Sequence, residues 1–163
     1  MEKSALIIID LQGLTKLFKN FTQPYSFETI LGNNERLIKK FEQAENPVYL
    51  LSVELQIFPK HLKKYFNRLL LENVGGKPVV KFGPSAFSQS DYPLAEELKA
   101  AGVSRLYISG ISTNNGVLKT AEDGEKLGFE TFIVDDASAA LSRDLHETAL
   151  GKFGKMVQTS ELL

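Results

Sequence analysis

Apolar residues in this chain come in short unbroken runs separated by longer amphipathic stretches. The runs are ALIIID (5–10), PVYLLSV (47–53), PVVKF (78–82), RLYISG (105–110), TFIVDD (131–136) and, more weakly, KMVQT (155–159). Runs this short and this rich in β-branched residues read as strands, and their continuity predicts burial on both faces. Between them, SFETILGNNERLIKKFEQA (26–44), PKHLKKYFNRLLLEN (59–73), YPLAEELKAAG (92–102) and NNGVLKTAEDGEKLG (114–128) repeat apolar residues at three and four and end near Gly or Asn. These are helix signals. Strand and helix in alternation predict right-handed crossovers in a six-stranded parallel sheet, a three-layer α/β/α, Rossmann-like arrangement. NVGGKP (73–78) reads as a turn, and with no linker or internal repeat the expectation is one domain over residues 1–163.

The pair Asn115-Gly116 is also a hairpin signal, which would make two strands of the residues around it. Val117, Leu118, Ala121 and Leu127 continue at helical spacing, so a helix is expected there instead, with Thr113 as its N-cap.

Composition narrows the function classes. A chain of 163 residues with 43% apolar composition can bury a true core. Nineteen basic and twenty acidic residues leave a net charge of -1, which gives no footprint for nucleic acid or an anionic membrane. MEKSALIIID enters a strand without the basic region and cleavage site of a signal peptide, so a cytoplasmic protein is expected. The absence of cysteine excludes disulfides and thiolate metal sites.

In open parallel sheets ligands bind beyond the carboxyl ends of the strands. Asp10 closes the first run there, Lys81 follows PVV, and Gly110, Ser112 and Thr113 lead into a helix whose free amides would face the same crevice. An acid, an ammonium and an anion-binding helix end are thus expected to converge. Each also has an ordinary structural reading, as a turn former, a solvent-reaching lysine or a hairpin. Asp135 and Asp136 are expected to cap and form turns, and His61 and His146, in charged helical segments, to face solvent.

In their order these features resemble the isochorismatase-like, or cysteine-hydrolase, family over nearly the whole chain. ALIIIDLQ resembles the family's first strand with its catalytic Asp, here Asp10, followed by Gln12. KFGPSAF resembles the segment supplying the catalytic Lys, here Lys81, with Phe87 as a pocket aromatic. GISTNNGVLKTAEDGEKLGFETFIVDDASAA is similar to the family's Gly-Val-x-Thr-x-x-Cys-Val stretch, and the cysteine falls on Gly116. The resemblance implies a cis peptide bond into Ser112 and an oxyanion hole of backbone amides around it. It also implies substrate contacts from Gln12, Phe87 and Thr113.

Amidases of that family attack with the thiolate, a route that Gly116 closes. Nicotinamidases carry an Asp-x-His metal pair where this chain has Ser52, Glu54 and Gln56, so no metal or other cofactor is expected. Isochorismatase itself has Gly at the nucleophile position and protonates a vinyl ether with the Asp. The resemblance therefore implies a hydrolase of small molecules, with Asp10 as general acid/base, Lys81 as electrostatic partner and room for an anionic substrate. Isochorismate is a dicarboxylate, and the four arginines, Arg36, Arg68, Arg105 and Arg143, lie outside the matched motifs. The alternatives are a proton-transfer lyase or isomerase using the same pair, and an inactive member that binds a ligand or acts as an oligomeric scaffold. A homodimer or larger assembly is expected, from the family and from the aliphatic-rich segment YFNRLLLENV (65–74).

Overall fold

The computed structural model describes residues 2–163. Six parallel strands form one sheet: β1 (Lys3–Ile9), β2 (Val48–Val53), β3 (Lys77–Lys81), β4 (Val103–Ile111), β5 (Glu130–Ala139) and β6 (Met156–Val157), in the spatial order β3-β2-β1-β4-β5-β6. Because β1 is buried on both faces, its residues alternate between two cores. Ala5, Ile7 and Ile9 join one core with Leu94 and Leu98 of α4 (Leu94–Ala100), Leu118 and Ala121 of α5 (Leu118–Lys126), and Ala149 and Leu150 of α6 (Arg143–Phe153). Leu6 and Ile8 join the other with Ile30, Leu37 and Ile38 of α2 (Phe27–Gln43). Each such Leu or Ile contributes about 1.5–3 kcal/mol by leaving water. Two short helices, α1 (Gly13–Lys16) and α3 (Lys60–Phe66), pack against each other.

Three sequence expectations change. The 59–73 segment is helical only to Phe66; beyond it Leu69 and Leu71 are buried against the α2 core, with Leu70 and Val74 packed beside them. Leu69 and Leu71 of that segment thus point inward. The strand expected at 131–136 runs on to Ala139 across an irregularity in its pairing with β4. Thr113 does not cap a helix: Thr113–Val117 is a wide π-helical turn leading into α5, and Ser112 before it makes no side-chain cap.

The chain places β2 and β3 on one side of β1, then crosses to build β4, β5 and β6 on the other. The connections leaving β1 and β4 therefore diverge, the place where open parallel sheets bind ligands.

Candidate active site

β1 ends where Asp10 takes a left-handed conformation, φ 53°, uncommon for a side chain with a Cβ but tolerated by Asp. Its amide donates to Leu51 O at 2.9 Å, while its carbonyl accepts from Gln12 N at 3.0 Å and from the Thr15 hydroxyl. The turn takes Asp10 out of the strand's alternation. Lys81, last residue of the edge strand, lies two strands away, a gap of about 10 Å that a lysine arm and a carboxylate together can close. They do close it: Lys81 Nζ is 2.9 Å from Asp10 Oδ2 and donates also to Gly83 O at 2.9 Å. Lys81 is 1% exposed and Asp10 8%.

Burial pushes the Asp10 carboxyl up to about 6, from an ordinary 3.8, and the charge and hydrogen bond of Lys81 only partly oppose it. Lys81 favours the ionised form, but desolvation of the carboxyl outweighs it. The two oxygens differ. Oδ2 is held by the ammonium, whereas Oδ1 is buried and accepts no hydrogen bond among the described residues. A proton on Asp10 therefore belongs on Oδ1, as one directed O–H.

The turn after β4 closes the site. The Ile111-Ser112 peptide is cis, and Ser112 O accepts from Asn115 N at 3.1 Å and Val117 N at 3.2 Å, the second a six-residue closure that widens the helix start. Ser112 Oγ donates to Asn114 Oδ1 at 3.0 Å. Gly116 lies outside the left-handed region, so its backbone alone does not require glycine. A Cβ there would sit 3.7 Å from Asp10 Oδ2, aimed at the acid, but only 2.8 Å from Ile9 Cγ2 and 3.3 Å from Pro84 O. The place of a nucleophile is filled by an isoleucine methyl.

Gly116→Cys is consequently expected to cost about 1–3 kcal/mol by overpacking. In Ile9→Ala/Gly116→Cys the sulfur occupies freed space, and denaturant titration should find the double variant more stable than the two single losses added together. Its thiol should be alkylated by iodoacetamide faster than an exposed cysteine, because Lys81 and the helix start favour thiolate. A thiol that titrates and reacts like free cysteine would show that position 116 does not face the pair.

The other expected site residues are committed elsewhere. Gln12 is fully buried: Oε1 accepts from Val53 N at 2.8 Å, and Nε2 donates to Val53 O at 3.1 Å and Phe66 O at 2.8 Å. Its amide pins the end of β2 and is not available to a substrate. Phe87 stacks on Phe129, centroids 6.1 Å apart, and Phe129 precedes β5, at the opposite end of the sheet from Asp10. Phe87 is thus half-buried and lines a cavity with Tyr92, Leu94 and Leu127, away from Asp10. Thr113 is fully buried, its hydroxyl 2.7 Å from His146 Nδ1.

His146 corrects a second expectation. His61 is exposed, but His146 is 1% exposed, with Nε2 2.8 Å from Asp135 Oδ1. Asp136 lies inside β5 rather than in a turn and accepts from Thr159 N and Oγ1, each at 2.7 Å, while Asp135 is the imidazole's partner, so neither acid is the turn former expected. A sequence signal existed: His146 shares a helix face with Ala149, Leu150 and Phe153, all packed inward. At the position of the nicotinamidase metal pair, Glu54 and Gln56 are both turned to Lys63 Nζ, at 3.3 and 3.0 Å. No group of three His, Cys, Asp or Glu side chains that could hold a metal occurs among the described residues.

The sequence matches the isochorismatase domain over residues 4–161. The chain belongs to the isochorismatase family. This isochorismatase-family chain is 28% identical to the family protein YecD of Escherichia coli O157:H7, over 90% of the chain and 85% of YecD. It is 39% identical to enterobactin synthase component B of Escherichia coli K12 over 89 residues, which span 52% of the chain and 30% of that protein. Among solved structures, an isochorismatase family protein from Burkholderia thailandensis superposes with a TM-score of 0.83 at 23% identity, covering 98% of this chain and 93% of that one. The pyrazinamidase of Pyrococcus horikoshii, solved with zinc, gives 0.76 at 22% identity, over 96% and 99%. At these identities the superpositions establish the fold, and the family is one of hydrolases.

No helix among the described residues is long and apolar enough to cross a membrane.

Proposed function

We propose that this member hydrolyses a small molecule without a covalent intermediate, with Asp10 as general acid and Lys81 as its electrostatic partner. The observation that carries this reading is the buried Asp10–Lys81 pair, whose acid is pushed up to about 6 and has one oxygen free. Beside it Ile9 occupies the space of a side chain at Gly116, so nothing is positioned there to attack a carbonyl.

Vinyl ether hydrolysis suits this arrangement. It needs a proton on carbon and water on the resulting oxocarbenium ion, and a carboxylic acid with a pKa near the working pH supplies the proton. After transfer, the carboxylate on Asp10 is stabilised by Lys81, which the neutral acid engages less strongly; the lysine thus favours the product side of the proton transfer. An anionic group of the substrate would be met at the 113–117 turn by amides other than those of Asn115 and Val117, which Ser112 O already takes.

The test is the pH profile of kcat/KM on small vinyl ethers bearing a carboxylate. A general acid with a pKa of about 6 gives a rate that is flat below pH 6 and falls tenfold per pH unit above it. A rate that rises through pH 6 would make Asp10 a base and favour the lyase or isomerase reading. Turnover should persist in chelator, since the Ser52, Glu54 and Gln56 set does not fit zinc. Loss of activity with EDTA and its return with zinc would overturn that part. A ligand-binding protein without turnover draws on the same orphaned Oδ1, and would show a raised Tm with the vinyl ether but no product.

A further inference from the structure

Behind the turn lies a second polar cluster that the motifs of the chain do not mark. Asp135 receives His146 Nε2 at 2.8 Å and Tyr25 OH at 3.2 Å on Oδ1, and Gln158 Nε2 at 2.8 Å on Oδ2. The His146 hydrogen bond foremost, with those of Gln158 and Tyr25, holds its carboxyl below the ordinary carboxylate range. In the neutral imidazole, an ionised Asp135 takes the hydrogen of Nε2, which leaves Nδ1 as the acceptor and the Thr113 hydroxyl as its donor. The order is hydroxyl, imidazole, carboxylate, the order of a hydrolase triad. Thr113 is sealed from solvent, however, so no substrate carbonyl can meet its oxygen.

The cluster instead ties together the two segments that diverge after β1 and β4. Thr113 belongs to the turn that follows β4. Tyr25 belongs to the connection that follows β1, and its ring stands edge-on to His146, centroids 5.8 Å apart. Two residues earlier, Gln23 exchanges backbone hydrogen bonds with Ala140 at the end of β5, at 2.8 and 2.9 Å. One imidazole thus registers both walls of the site against β5 and α6.

We infer that His146 and Asp135 are positioning residues that, through Thr113, fix the Ser112–Val117 turn against Asp10. That the turn faces a substrate rests on the proposed function; that it is held by this chain of hydrogen bonds does not. The distinction matters because a displacement of about 1 Å in a reacting group can cost about a hundredfold in rate.

The test is Thr113→Val, which keeps the shape and removes the donor, alongside Thr113→Ser, which restores the hydroxyl. Thr113→Val should exchange the amides of residues 113–118 at least tenfold faster, while those of Ile7, Ile8 and Ile9 change less than twofold. The midpoint of the Asp10 carboxyl carbon, followed by NMR, should fall from about 6 as water reaches the loosened site. Thr113→Ser should return both to wild type, and where vinyl ether turnover is measurable kcat should fall with Thr113→Val more than KM rises. Unchanged exchange at 113–118 and an unmoved Asp10 midpoint in folded Thr113→Val would overturn the inference. So would a uniform rise in exchange across β1 and the turn, which marks a stability effect alone. Absence of turnover in every variant, with the exchange and midpoint changes present, would instead sink the proposed reaction and leave the positioning role standing.

Discussion

Lys81→Met is expected to cost about 2–3 kcal/mol at pH 8, a fall in Tm of about 5–10 °C, and almost nothing at pH 4. Removing one partner of a buried pair strands the other charge, and Asp10 has no other donor on either oxygen among the described residues. The pH dependence follows from the direction of the shift. The Asp10 carboxyl lies at about 6 in the folded chain against an ordinary 3.8, so its contribution to stability is fully present below about pH 4 and is lost as pH rises through 6. In Lys81→Met both influences that lower the Asp10 pKa disappear, its midpoint moves further up, and the loss with rising pH deepens. At pH 4 the acid is neutral in both proteins. Calorimetry at the two pH values checks this, and an equal deficit at both would mean that the lysine stem contributes packing rather than charge.

Asp10→Asn is expected to lower kcat/KM on a vinyl ether by a factor of about 10²–10⁴, the usual contribution of a general acid. The substitution keeps the shape and a hydrogen-bond acceptor for Lys81, so the fold should survive with a smaller loss than in Lys81→Met. The residual rate should lose its break near pH 6, because the titrating group is gone. Asp10→Asn/Lys81→Met removes both charges and should recover much of the stability lost in Lys81→Met while recovering none of the activity. A folded Asp10→Asn protein with an unaltered rate and an unaltered pH profile would exclude Asp10 from the chemistry.

The sheet was legible in the sequence because parallel strands buried on both faces leave continuous apolar runs, and ALIIID is such a run ending in an acid. That Asp10 and Lys81 meet was legible for a related reason, since the carboxyl edge is where polar residues follow those runs, whereas Gly116 was marked only by the resemblance to the family's cysteine stretch. What the sequence concealed depends on direction. Whether Phe87 turns toward Asp10 or toward Phe129 is set by the loop from Gly83 to Ser85, where no periodicity operates. Gln12 is a plausible substrate ligand until all of its amide is seen to be used on Val53 and Phe66. His146 was hidden by its charged neighbours Asp144 and Glu147, which lie on the outward face of a helix that is only half buried. Asp135 was misread because the strand does not end there; the irregular pairing of β4 and β5 lets it continue to Ala139.

The ammonium of the site is carried by the outermost strand. β3 has five residues and one neighbour, and Val80 within it and Phe82 just beyond it are each 54% exposed. Edge strands with few buried contacts open at a lower free-energy cost than the strands inside a sheet. Fraying of β3 would withdraw Lys81 from Asp10 while β1, β4 and β5 stayed folded, so heating should silence the protein several degrees before it melts, and the gap between the two temperatures measures how firmly one short strand is held.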